Sequence, residues 1–349
     1  MNYIPPRRSD GTLHSTRLKQ PWPQDRLFRI LSIDGGGIKG LLPAAYLAEI
    51  ERSFLNGSSI ADHFDMIAGT STGGIIALGL AKGMTGDETA KIYTQRGHAI
   101  FPPRRGVAGM IRTGAWMRKA KHDQSALKDH LLDVFGDMLI DDAKVRLVIP
   151  SYEGEYGEPY IYKTPHHPDY KRDRHVKAAH VALHTAAAPT IYAGVENDGH
   201  MMVDGGIWAN NPIMVALVDA LASYDVPREN IRILSLGTGD ALFSTASLQN
   251  SGVLGWLNPL RAGGPALFQA AVRAQSHDAI GQAGLLIGRQ NVLRIDPSEG
   301  DRPIALDDVD RAIRELPNAA RSMAASSGQQ VRSMFLTDNA DTYTKCPLA

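Results

Sequence analysis

Ser71 lies in Gly69-Thr70-Ser71-Thr72-Gly73, a G-x-S-x-G pattern. An apolar run, Phe64-Asp65-Met66-Ile67-Ala68, precedes it, and a helical pattern from Ile75 to Lys82 follows. Glycines on either side of a serine let the chain turn sharply between strand and helix, so that the hydroxyl projects from the turn. The helix start adds a partial positive charge beside it, where a developing oxyanion would sit. The chemistry this suits is nucleophilic attack on an acyl carbonyl. A serine in an ordinary tight turn is the competing reading.

A second glycine turn, Asp34-Gly35-Gly36-Gly37-Ile38-Lys39-Gly40, follows the apolar run Leu27–Ile33. Its glycines match G-x-G-x-x-G, which in a dinucleotide site needs an acidic residue about twenty positions on, at the end of a second strand. Asp62 and Asp65 come too late for that role. The other reading is a nest in which the amides of Gly35, Gly36 and Gly37 converge on a negative oxygen, as an oxyanion hole requires. Lys39 either adds positive charge at its mouth or is a solvated lysine at a helix start.

A serine nucleophile needs a base. The chain has 12 histidines, and none stands on a glycine turn after a strand. His180 and His184 share a helical face but lack an evident third metal ligand. Asp204, in Val203-Asp204-Gly205-Gly206, does stand on such a turn. A carboxylate bonded to Ser71 could take its proton directly in a dry site; an Asp-Gly turn with no chemical role is equally compatible with the local sequence.

The elements that must position these turns alternate between strand and helix. Strand patterns at Leu27–Ile33, Phe64–Ala68, Val145–Pro150 and Ile231–Leu236 are interleaved with helical ones at Leu41–Phe54, Val176–Ala187 and Ile213–Ser223. Tyr160–Tyr162 is read as pairing beside the third strand. The alternation predicts an α/β domain with a largely parallel sheet. Residues 1–26, rich in Pro and Arg, read as an extended arm, and 27–349 as one domain whose portion from about 240 to 349 is helical. The 349 residues carry 37 Lys+Arg and 37 Asp+Glu, a formal charge of zero, so no global field draws the chain to a nucleic acid polymer. The single cysteine, Cys346, excludes an internal disulfide and suggests a reducing compartment. No secretory signal or run of about 18 apolar residues is evident.

Taken together, the motifs resemble the patatin-like phospholipases, a family of Ser-Asp lipid acyl hydrolases. Leu31–Gly40 resembles the family's oxyanion segment, Phe64–Gly74 its nucleophile elbow, and Ala186–Tyr192 its alanine-proline segment. Asp204-Gly205-Gly206-Ile207-Trp208-Ala209-Asn210-Asn211-Pro212 resembles its Asp-Gly-Gly segment, and Leu234–Gly239 its late strand. The resemblance implies a three-layer α/β/α sandwich, Ser71 as nucleophile, Asp204 as base and the Gly35–Gly37 amides as oxyanion hole. Asp34, Lys39, Gly40, Gly69, Gly73, Gly205 and Gly206 are its motif residues. The implied chemistry is phospholipid ester hydrolysis with no cofactor and no metal.

Residues 101–121 hold six basic side chains and no acidic one, interleaved with Phe101, Met110, Ile111, Trp116 and Met117. That suits an anionic membrane surface or a lid; a solvated basic loop is the alternative. The chain is also similar to bacterial phospholipase effectors of cyclic-oligonucleotide anti-phage signalling. The similarity implies a cyclic dinucleotide activator, a role in antiviral defence, and a cytoplasmic protein peripheral at the inner face of the membrane when active. A homodimer is a further expectation. Two alternatives are a constitutive lipid acyl hydrolase and a non-catalytic storage or binding protein on the same fold.

Overall fold

The computed structural model describes residues 17–100, 125–189, 194–197, 199–239, 252–258, 266–298 and 303–347. The basic segment 101–121, the first sixteen residues and the end of the alanine-proline segment, 190–192, lie outside that set.

Among the described residues eight strands form one sheet: β1 (Phe28–Ile33), β2 (Met66–Gly69), β3 (Arg146–Glu153), β4 (Glu158–Lys163), β5 (Val195–Asn197), β6 (His200–Asp204), β7 (Ile231–Leu236) and β8 (Val292–Ile295). Their order is β5-β6-β3-β2-β1-β7-β8, with β4 also pairing β3. The run β3-β2-β1-β7-β8 is parallel, whereas β4, β6 and β5 join antiparallel. Successive side chains of a strand point to opposite faces. Phe28 and Ile30 therefore pack with Met66, Ala68, Val148, Ile231 and Ile233 on one face. Leu31 and Ile33 pack with Ile67, Leu147, Ile149, Leu234 and Leu236 on the other. Both faces being covered is why these strands read as mostly apolar runs, broken only at single residues such as Arg29, Ser32, Arg232 and Ser235.

Ten helices are described: α1 (Leu41–Phe54), α2 (Thr72–Lys82), α3 (Gly86–Ile100), α4 (Ser125–Phe135), α5 (Ala178–Thr185), α6 (Gly206–Ala209), α7 (Ile213–Ser223), α8 (Gly252–Trp256), α9 (Ala266–Ile287) and α10 (Val309–Phe335). Buried side chains of α1 to α5 and α10 cover the Leu31 side of the sheet, and those of α7 and α9 cover the Phe28 side. The result is the α/β/α sandwich expected from the sequence.

Two boundaries differ from the sequence reading. The arm does not extend to residue 26. Trp22 is buried, with its ring 4.7 Å from Phe28 and 5.5 Å from Tyr224, and the Gln20 amide donates to the Ser223 carbonyl at 2.7 Å. One large aromatic ring is enough apolar area to fasten a polar segment. The C-terminal portion is also not wholly helical, because β8 completes the sheet beside β7.

Candidate active site

Parallel strands deliver their C-terminal turns to one edge of the sheet, where α/β proteins place their sites. Here the turns after β1, β2 and β7 carry Asp34–Gly37, Ser71 and Gly237–Gly239. Asp204 reaches the same edge by another route. β3 pairs β2 with Val148 opposite Ala68, and then runs on past the end of β2. Ser71 stands as far beyond Ala68 as Ser151 beyond Val148, and Ser151 is the partner of Asp204 on antiparallel β6. The overhang of β3 thus carries Asp204 to the level of Ser71.

The contact is direct. Ser71 Oγ donates to Asp204 Oδ2 at 2.6 Å, and the Gly206 amide donates to Asp204 Oδ1 at 2.7 Å. Both side chains are buried. Burial pushes the Asp204 carboxyl up from its ordinary 3.8 to about 6, against the two hydrogen bonds that favour the charged form. It therefore remains ionised at neutral pH while being a better base than an exposed carboxylate.

Ser71 has φ 55 and ψ −123. A non-glycine residue held there stores about 1–3 kcal/mol, sustained only where the surroundings dictate it. Three contacts do so. The Ser71 amide donates to Thr185 Oγ1 at 3.0 Å, and that hydroxyl in turn donates to the Pro150 carbonyl at 2.5 Å. The first turn of α2 is pressed against the end of β1 at Gly73, where a Cβ would lie 2.3 Å from the Ile33 carbonyl oxygen. Thr72 Oγ1 donates to Tyr93 Oη at 2.6 Å. Gly35 faces the serine: a Cβ on it would come 3.2 Å from Ser71 Cβ and 2.6 Å from Asn210 Oδ1.

The glycine turn departs from the expectation of three free amides. The Gly35 N–H donates to the Asn210 carbonyl at 3.0 Å and so is already satisfied. Among the described residues, none accepts a hydrogen bond from the amides of Gly36 and Gly37, at the start of the turn of 3₁₀ helix Gly37–Gly40. Those two remain as donors for an anion. Lys39 is buried rather than solvated, with Nζ 3.5 Å from the Gly239 carbonyl. Asp34 is engaged by another residue. Its carboxylate is bidentate with Arg294, at 3.0 and 2.7 Å.

Sequence reasoning missed Arg294, Thr185 and Gln275, none of which stands in a glycine-marked motif. Gln275 holds Asn211 through both backbone groups, accepting its N–H at 3.2 Å and donating to its carbonyl at 3.1 Å. Among the described residues no histidine is a hydrogen-bond partner of Ser71. His184 Nδ1 lies 2.7 Å from Tyr162 Oη, and burial, aided by the nearby His180, pushes its pKa down to about 4. Among the described residues one group of metal-ligand type occurs, Glu153, Glu155 and His200, with candidate atoms within 4.8 Å of one another. Glu153 there already accepts the amides of Glu155 and Tyr156, both at 2.9 Å, so it serves as a hairpin cap.

Residues 31–217 match the family described as patatin-like phospholipase. A "cGAMP-activated phospholipase" of Vibrio cholerae is 32% identical over 89% of this chain and 92% of its own length. A protein of the same description from Pseudomonas aeruginosa is 37% identical over 60% of this chain, and there the match spans 62% of the relative, less than two thirds of it. Among solved structures the chain is similar to the crystal structure of VipD from Legionella pneumophila, at 13% identity and a TM-score of 0.43, covering 86% of this chain and 67% of that one. On the extent of the family match and the near full-length relative, the chain belongs to the patatin-like phospholipase family.

Proposed function

We propose that this chain hydrolyses phospholipid acyl esters with Ser71 as nucleophile and Asp204 as base, and that a cyclic dinucleotide switches it on. The observation that carries the chemistry is the 2.6 Å hydrogen bond from Ser71 Oγ to a buried carboxylate raised to about 6. As Ser71 Oγ bonds to the ester carbonyl carbon, its proton passes to Asp204 Oδ2. The tetrahedral oxyanion is held by the Gly36 and Gly37 amides, aided by the positive end of α2. The C–O bond to the lyso-lipid then breaks, and the leaving oxygen takes the proton from Asp204. Water, deprotonated by the same carboxylate, adds to the acyl-serine carbonyl; its C–O bond to Ser71 breaks, Ser71 Oγ takes the proton back from Asp204, and the fatty acid is released.

The activator is supported by relatives described as cGAMP-activated over most of their length, and with it comes a place at the cytoplasmic face of the membrane in antiviral defence. No described helix is long and apolar enough to cross a membrane. We assign lipid contact to the basic, aromatic-bearing sequence 101–121.

The test is phospholipid hydrolysis by the purified protein and its Ser71→Ala form, with and without a panel of cyclic dinucleotides. The proposal expects fatty acid release only with a nucleotide, and none from Ser71→Ala. Full activity without nucleotide would remove the activator, and activity in Ser71→Ala would remove the nucleophile.

A further inference from the structure

Two side chains beyond the residues matched to the family, 31–217, reach back into the site. Arg294, on β8, spends its guanidinium on four acceptors. Nη1 donates to Asp34 Oδ1 at 3.0 Å and to Ser235 Oγ at 2.8 Å. Nη2 donates to Asp34 Oδ2 at 2.7 Å and to Asp296 Oδ2 at 2.6 Å. Asp296 passes the restraint on, since its Oδ1 accepts the Gly239 amide at 3.0 Å. In the same turn Thr238 Oγ1 donates to the Gly35 carbonyl at 3.0 Å. Arg294 thus grips the glycine turn at its foot and, through Asp296, grips the turn on which Gly35 leans.

Gln275, on α9, closes the other side. It holds both backbone groups of Asn211, in the segment that runs on from Asp204. The neighbouring Asn210 carbonyl accepts the Gly35 amide. Only residues 288–291 separate α9 from β8, so a single unit holds both the oxyanion turn and the segment bearing the base. Charge adds a second reason. Asp34 is a buried carboxylate immediately before the glycine amides. Left alone, its charge would oppose a developing oxyanion in a site where charges are poorly screened. The guanidinium, shared between Asp34 and Asp296, offsets part of that charge.

We infer that Arg294 and Gln275 are positioning residues for the hydrolase site, and that α9–β8 is the unit through which the site's geometry is set. This rests on the Ser71–Asp204 reading. The test compares kcat and KM per folded molecule, and the rate of serine labelling by a fluorophosphonate, in Arg294→Lys and Gln275→Ala. Both are run with whichever cyclic dinucleotide activates the wild type. Lysine keeps the charge but loses the planar fork. Misplacing a site by about an ångström costs on the order of a hundredfold in rate. The expected result is a fall in kcat of about ten- to a hundredfold with KM within about twofold, and slowed labelling in parallel. A kcat per folded molecule equal to wild type in both variants, whatever their melting temperatures, would overturn the inference. If Arg294→Lys does not fold, Gln275→Ala decides alone. Ser71→Ala separates the two ideas: activity surviving there sinks the nucleophile assignment. Activity lost there but intact in the positioning variants sinks only this inference.

Discussion

Replacing Asp204 by asparagine should abolish hydrolysis and, at neutral pH, make the protein more stable. Burial raises this carboxyl from 3.8 to about 6. The folded protein therefore binds the Asp204 proton more tightly than the unfolded chain does. The stabilising contribution is fully present below pH 3.8 and is lost as pH rises through 6. Each pH unit between the two values is worth 1.36 kcal/mol, so holding Asp204 ionised above pH 6 costs about 3 kcal/mol. The amide side chain of Asp204→Asn would carry no charge, could accept the Gly206 N–H through its carbonyl oxygen, and could donate to Ser71 Oγ through its NH₂ group. The gain at pH 8 should thus be about 1–3 kcal/mol, after imperfect replacement of the hydrogen bonds. Urea unfolding of wild type and Asp204→Asn at pH 8, 6 and 4 checks this. The difference should shrink steadily as pH falls. A variant less stable than wild type at pH 8, or a gap that does not change with pH, would refute the reasoning.

The same value fixes the pH dependence of activity: kcat should fall below about pH 6 with the slope of one proton, as Asp204 becomes protonated. The positive φ of Ser71 predicts that Ser71→Gly, though inactive, is more stable than Ser71→Ala by about 1 kcal/mol, measured by the same unfolding. On the other face, buried Asp219 accepts hydrogen bonds from Lys163 at 2.5 Å and from Tyr170 at 2.5 Å, and lies 2.6 Å from His166 Nε2. Despite its burial, Lys163 and His166 hold this carboxyl far below the usual range. Asp219→Asn should therefore cost about 3–5 kcal/mol, because it leaves the half-buried Lys163 without its counter-charge and removes a buried acceptor. A loss under about 1 kcal/mol in thermal or urea unfolding would contradict that.

What could be read from the sequence follows from how each residue is marked. Ser71, Asp204 and the Asp34–Gly37 turn are legible because glycine is the residue that permits sharp turns after strands, and three such turns on one chain are informative. The strand Ile231–Leu236 and the helix Ile213–Ser223 fall where their apolar patterns placed them. β8 was hidden because Val-Leu-Arg-Ile is a four-residue run with no glycine turn directly after it, unlike β1 and β7, which also carry an arginine but end on glycines. Gln275 was hidden in a long helix with no sharply apolar face. Its role depends on which backbone the fold brings opposite, and no local pattern encodes that. The spent Gly35 amide belongs to the same class, since only the long-range approach of Asn210 reveals it. Trp22 reads as part of an arm because its polar neighbours outweigh one ring.

The most direct test of the central claim is to treat the protein with a fluorophosphonate and locate the adduct by peptide mass spectrometry, in wild type and in Asp204→Asn. Ser71, activated by Asp204, should carry the adduct in wild type and react at least about a hundredfold more slowly in the variant. An adduct on any other serine, or undiminished labelling of Ser71 without the carboxylate, would contradict the account.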